Sequence, residues 1–287
     1  MSRPRALRLA TRGSRLARWQ AAWVAATLGG EVEFVIVDTT GDRRAEVPLS
    51  AIGGQGVFVK EVQAAVLDGR ADAAVHSAKD LPARTEPGLV LAAVGIREDP
   101  RDALVGAALD AILTGGVVAT GSARRRALLL DARPDLTFAD LRGNIPTRLE
   151  KAAGFDAVVV ALAALVRLDL ADRVSQSLDP EVFVPQVGQG AIAVECRAAD
   201  AATVARLQVV DHPATHHAVA AERAFLAALG GGCTLPVGAY ATGGAELTLR
   251  AVLATADERT LHRITVTGAD PVPLGEEAAR AVLDRVG

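Results

Sequence analysis

The chain has 287 residues, 50% of them hydrophobic, with a net formal charge of -3 and only 3% aromatic residues. That length supplies core for two or three domains, while near-neutral charge and few stacking rings argue against nucleic acid as a partner. No apolar run reaches the length of a membrane span and the segment from Met1 to Arg5 lacks an apolar signal stretch, so the expectation is a cytoplasmic protein without a membrane partner.

Residues 7–10 alternate and predict a strand, Ser14 is placed to cap a helix over 16–28, and 32–37 predict a second strand. Strand, helix, strand in this order implies a βαβ unit and a parallel sheet. Residues 38–56 are polar, Gly-rich and without periodicity, and a stretch of that length reads as a functional loop. A helix over 57–67 and a short apolar strand over 73–75 follow. That strand ends in His76-Ser77-Ala78-Lys79-Asp80-Leu81-Pro82, a polar cluster where a buried strand stops and a proline blocks an immediate helix. Ligands gather at that end of strands in open α/β sheets.

After a strand at 90–94, the charged run Arg97 to Asp102 reads as a domain crossing. The α/β rhythm then restarts, with strands at 117–120, 136–141 and 157–162 and helices at 123–132 and 147–153. Val187-Gly188-Gln189-Gly190 reads as a second hinge before a strand at 191–195. From about residue 213 the texture changes to helix 214–229, a Gly-rich cysteine loop, strands 247–253 and 261–266, and helix 276–286, a small α+β domain.

Lysine is rare, with Lys60, Lys79 and Lys151 the only ones among 31 basic residues, and coding bias accounts for most of the arginine excess. Position sharpens the reading at several places. Arg12 and Ser14 lie at a strand-to-helix turn, which alone is an ordinary cap. Arg124, Arg125 and Arg126 open a helix after Ser122, where they oppose the helix dipole and cost stability unless an anion is bound. Arg142, Arg148 and Arg167 follow the next strands, and no nucleotide P-loop occurs. An ionised Asp80 suits stabilisation of a developing cation and proton transfer. His76, four residues earlier, either orients that site or lines it.

His212, His216 and His217 have helical spacing but no well-placed third ligand, so no metal site is expected. Cys196 reads as a buried, inert thiol in a strand. Cys233, in Gly230-Gly231-Gly232-Cys233-Thr234-Leu235-Pro236, reads as an accessible thiol suited to a covalent role. A disulfide between the two is not expected in a reducing compartment.

Taken in order, ATRGS (10–14), GGQGVFVKE (53–61), AVHSAKDLP (74–82), REDPRDAL (97–104), LRGNIPTRL (141–149), VGQGAIAVECR (187–197) and GGGCTLPVGAY (230–240) make the chain resemble the porphobilinogen deaminases, or hydroxymethylbilane synthases, over nearly its whole length. The resemblance implies two type II periplasmic-binding-protein-like α/β domains around a cleft, with a small α+β C-terminal domain. The expected boundaries are 1–96 with 190–210, 97–189, and 211–287. It implies a transferase that condenses four porphobilinogens head-to-tail into hydroxymethylbilane with loss of ammonia, primed by a dipyrromethane cofactor in thioether linkage to Cys233. A monomer is implied as well.

The same resemblance assigns Asp80 as the catalytic carboxylate. It places Lys79, Ser77, Ser122, Arg124, Arg125, Arg142 and Gly143, with Asp80 and Cys233, around the cofactor. Arg12, Ser14, Gln20, Arg148, Arg167 and Gln189 are assigned to substrate, and Asp42, Glu46, Gln55 and Phe58 to a lid. Three positions depart from the family pattern: Gln55 stands where lysine is usual, and Gly121 and Ala123 interrupt a TSSLRR motif. A non-catalytic polycarboxylate binder on the same scaffold is the competing reading, and it needs neither Asp80 nor Cys233.

Overall fold

A computed structural model describes residues 5–43, 56, 58–231 and 236–286. The strands are β1 (Leu7–Arg12), β2 (Val32–Val37), β3 (Ala73–Ser77), β4 (Leu89–Val94), β5 (Asp102–Gly106), β6 (Val117–Ala119), β7 (Thr137–Ala139), β8 (Ala157–Ala161), β9 (Gln176–Ser177), β10 (Ile192–Arg197), β11 (Val237–Gly243), β12 (Leu247–Ala254) and β13 (Leu261–Gly268). The helices are α1 (Arg15–Leu28), α2 (Thr40–Arg43), α3 (Lys60–Leu67), α4 (Ala123–Ala132), α5 (Ile145–Lys151), α6 (Leu162–Arg167), α7 (Ala201–Leu207), α8 (Pro213–Ala228) and α9 (Pro271–Leu283).

The chain forms two compact units, residues 1–97 with 191–216 and residues 98–190 with 217–287. The first unit holds a sheet of order β2-β1-β3-β10-β4 and the second a sheet of order β7-β6-β8-β5-β9. In each, three parallel strands come first and an antiparallel strand then separates them from the last. This is the type II periplasmic-binding-protein-like α/β architecture, twice over. The antiparallel strands β5 and β10 are the first strands after the two crossings of the chain.

The strands alternate faces. Leu9, Ala73, Val75, Ile192 and Val194 pack with Ala21 and Val24 of α1, whereas Ala10 and Ala74 pack with Val62, Ala65 and Val66 of α3. Strand β8 is buried along its whole length, as the central strand of a sheet covered on both faces requires. The C-terminal meander β11-β12-β13 is closed by α8 and α9 around Phe225, Leu247, Leu249 and Leu274. It joins the second unit: Val252 enters the core that contains Leu128 and Leu129 of α4.

Several elements exceed the sequence expectation. Strand β5 starts inside the charged run, because Asp102 is neutralised in the interior (below) and Ala103, Leu104 and Val105 fill the middle of a sheet. Strand β11 and helices α6 and α7 are also additional. Helix α9 starts at Pro271 instead of 276, because proline is well suited to the first helical turn.

Candidate active site

In the first unit β1 and β3 are parallel neighbours, so the residues that follow both strands lie along one sheet edge. Arg12 ends β1, and Ser14 caps α1 by accepting from the Ala17 N–H at 3.3 Å. The Arg12 guanidinium lies under the Phe58 ring, 4.1 Å from its centroid, a cation–π contact. After β3 the chain makes one tight turn over Ala78–Asp80. The Ala78 N–H donates to the Ala191 carbonyl at 3.0 Å, and the Leu81 N–H closes the turn on the Ala78 carbonyl at 3.2 Å. Ala78 and Leu81 are buried while Lys79 and Asp80 are half-buried, so the turn holds two charged side chains out from a fixed edge. Gln20 is buried and its amide donates to Ser77 Oγ at 2.8 Å, so it acts on the site through Ser77.

In the second unit β6, β7 and β8 run parallel, and the segments after them share an edge. Ser122 follows β6 and caps α4, accepting from the Arg125 N–H at 3.4 Å. Arg142, Gly143 and Asn144 follow β7. Gly143 has φ 115°, and a Cβ there would lie 2.9 Å from the Thr147 side chain, so glycine is required for the turn. Asn144 caps α5 through the Thr147 N–H at 3.0 Å, and Arg148 Nε donates to the Gly143 carbonyl at 2.8 Å. Arg167 ends α6 and is 7% exposed, with one arm donating to the Gly190 carbonyl at 2.6 Å. Burial draws its pKa down to about 10, with Glu98 opposing. Burial likewise lowers Arg142, opposed by Asp140.

Arg124 and Arg125 sit inside the protein. Asp102 Oδ2 accepts from Arg124 Nη2 at 2.7 Å, and Oδ1 accepts from Arg125 Nη2 at 2.7 Å and from Gln189 Nε2 at 2.9 Å. The remaining arms reach the carbonyls of Val184 and Val159, at 2.7 and 2.9 Å. Gln189 is fully buried and also donates to the Pro100 carbonyl at 2.7 Å. Burial alone would raise the Asp102 carboxyl, but the attraction of Arg124 and Arg125 overrides it and holds the group far below the usual carboxylate range. The anion that three successive arginines call for is therefore built in: Asp102 for Arg124 and Arg125, and Glu258, whose Oε2 accepts from Arg126 Nε at 2.7 Å, for Arg126. Asp102 was the residue that sequence reasoning passed over. Its only signal was an acid at the head of an apolar strand.

Glu46, Gln55 and Cys233 lie outside the described residues, and Asp42 is described only as backbone of α2. Cys196 is wholly buried in β10, and burial pushes its thiol up to about 11, which makes it inert. His216 is held by Asp211 at 2.8 Å and His212 by Thr215 at 2.9 Å; among the described residues no three His, Cys, Asp or Glu side chains group to hold a metal ion. Among the same residues no helix is long and apolar enough to cross a membrane.

Each of the two α/β sheets carries cations and helix caps along its carboxyl edge, and the first carries a carboxylate beside them. The profile described as "Porphobilinogen deaminase, dipyromethane cofactor binding domain" matches residues 7–205, and "Porphobilinogen deaminase, C-terminal domain" matches 216–284. The chain is 44% identical to a porphobilinogen deaminase of Brevibacillus brevis, over 96% of this chain and 93% of the relative. It is 44% identical to that of Pelobacter propionicus, over 99% and 96%. With that of Acidothermus cellulolyticus it shares 48%, over 98% and 89%. The chain belongs to the porphobilinogen deaminase family, and it is a transferase of tetrapyrrole biosynthesis that uses a dipyrromethane cofactor.

The donor set fits such a group. Its acetate and propionate side chains need cations and N–H or O–H donors, and the second sheet's edge presents Arg142, Arg148 and Ser122 next to a glycine turn that a Cβ would crowd.

Proposed function

We propose that Asp80 is the catalytic carboxylate of this transferase, and that Cys233 carries the cofactor in thioether linkage. The supporting observation is the turn Ala78–Asp80, which fixes Asp80 at the carboxyl end of β3 on the edge that also carries Arg12. Bound there, dipyrromethane supplies a nucleophilic pyrrole end and a set of carboxylates.

Asp80 accepts hydrogen bonds from pyrrole N–H groups and stabilises the cation left when ammonia departs from porphobilinogen. A half-buried carboxylate suits both tasks: it is desolvated enough to act strongly and accessible enough to pass a proton. Arg12, Arg148 and Arg167, with Ser14, hold substrate acetate and propionate groups. Lys79, Ser77, Ser122, Arg142 and Gly143 hold those of the cofactor. Arg124 and Arg125 share one carboxylate, so the buried cluster keeps a net positive charge behind Ser122 and favours anions at that edge. Gln20 and Gln189 orient Ser77 and Asp102. Asp42, Glu46, Gln55 and Phe58 belong to the lid.

In this reading four porphobilinogens are joined head-to-tail to hydroxymethylbilane by a cytoplasmic monomer with the three domains 1–96 with 190–210, 97–189 and 211–287. It has no nucleic-acid or membrane partner. Asp80→Asn should keep the fold and the mass of the attached cofactor while porphobilinogen consumption falls by about a hundredfold or more. Wild-type turnover in that variant would overturn the role of Asp80. A native chain with the mass of its sequence alone, yet active, would overturn the thioether.

A further inference from the structure

On the face of the first sheet that packs against α3, three polar side chains meet in an apolar setting that no step above uses. His76 of β3 is 5% exposed, Glu195 of β10 is 1% exposed and Gln63 of α3 is 2% exposed. Gln63 Nε2 donates to Glu195 Oε2 at 2.8 Å, and His76 Nε2 lies 3.3 Å from the same oxygen. Around them are Ala74, Val62 and Val66. A carboxylate held this far from water is costly where an apolar side chain would pack, and removing one member of such a group leaves the others stranded.

The cluster joins three elements through one oxygen. Strand β3 runs directly into the turn that presents Lys79 and Asp80. Strand β10 is its antiparallel neighbour, with Ala193 opposite His76 and Glu195 opposite Ala74. Helix α3 follows Phe58, which lies over Arg12. Its Glu61 Oε1 accepts from the Thr40 N–H and hydroxyl at 2.8 and 2.6 Å, which ties α3 to the start of α2 as well.

We propose that Glu195 is a positioning residue for the condensation. Through His76 it sets the strand that delivers Asp80, and through Gln63 it sets α3 and hence Phe58 over Arg12. Substrate cation and carboxylate are thereby received at a fixed spacing. The proposal rests on the roles given above to Asp80 and Arg12.

Glu195→Gln keeps the volume and can still accept from Gln63 through its amide oxygen, but it removes the charge facing His76. It should remain folded, lose about tenfold or more in kcat with KM within about twofold, and show faster amide hydrogen exchange over 76–81. Gln63→Leu frees only α3, so its faster exchange should be confined to 58–67 and its KM should rise. His76→Gln combined with Glu195→Gln should be no slower than the worse single variant, because the two act as a unit.

A Glu195→Gln variant with lower thermal stability but wild-type kcat and wild-type exchange at 76–81 would overturn the proposal, as would losses that multiply in the double variant. Should Glu195→Gln fail to fold, Gln63→Leu with wild-type KM and exchange would overturn it equally. A wild-type chain that consumes no porphobilinogen would sink the functional reading instead, while the exchange pattern would still report on the joint.

Discussion

Replacing Asp102 by Asn tests the built-in counter-ion. The change preserves shape and removes one charge from a fully buried group that serves Arg124, Arg125 and Gln189 at 2.7, 2.7 and 2.9 Å. Two guanidinium groups, 4% and 7% exposed, are left without an opposing charge. Breaking a buried pair costs about 3–5 kcal/mol, and for a chain of this size each kcal/mol shifts Tm by about 2–4 °C, so a fall of about 6–20 °C is expected. Calorimetry or far-UV circular dichroism at pH 7 reads it.

The Asp102 carboxyl is depressed in the fold, so its contribution is complete above the unfolded value of about 4 and is lost only in stronger acid. The Tm gap between wild type and Asp102→Asn should therefore be flat from about pH 5 to pH 8. By contrast Glu181→Gln, which removes a pair whose side chains are 30% and 66% exposed, should cost less than about 1 kcal/mol. An Asp102→Asn variant as stable as wild type would mean that Arg124 and Arg125 find water or another anion. The assignment of the cluster as a closed internal pair would then be wrong.

Asp72 provides an acid-sensitive counterpart. Burial works to raise its carboxyl, but hydrogen bonds from Arg8 and Arg5 hold it at about 2. Stability from this group is fully present above about pH 4 and declines as pH falls toward 2. Asp72→Asn should lower Tm at pH 7 and narrow its gap from wild type toward pH 2; a gap independent of pH refutes the pairing. Of the two cysteines, Cys196 is buried with a thiol raised to about 11 and Cys233 is assigned to the thioether. A thiol reagent at pH 8 should find none in the native holoprotein and one per chain after denaturation, and two after denaturation would exclude the linkage. Arg148→Ala should stall chain growth, seen as accumulation of one intermediate mass on the protein, whereas an unchanged product distribution counts against its hold on substrate.

Much of this chain could be read from residue order. The strand–helix–strand periods, the cap Ser14, the helix start after Ser122, and the arrest of an apolar strand at Asp80 are local patterns. Each follows from backbone geometry and the needs of one helix end or one strand end. The motif order also placed the chain in its family. What local pattern could not reveal is which charges meet. Arg124 and Arg125 read as open anion receptors because their partner Asp102 is 22 and 23 residues away, and Glu195 stands 119 residues beyond His76. Strands β5 and β10 bring those acids into place by entering each sheet antiparallel beside strands distant in the chain. Whether a charge is a ligand for substrate or a pin for the fold depends on its desolvation and its counter-charge. Both are properties of the packed interior, so the sequence determined the types of element and the chemistry on offer, and tertiary packing decided which of those groups remain available to a ligand.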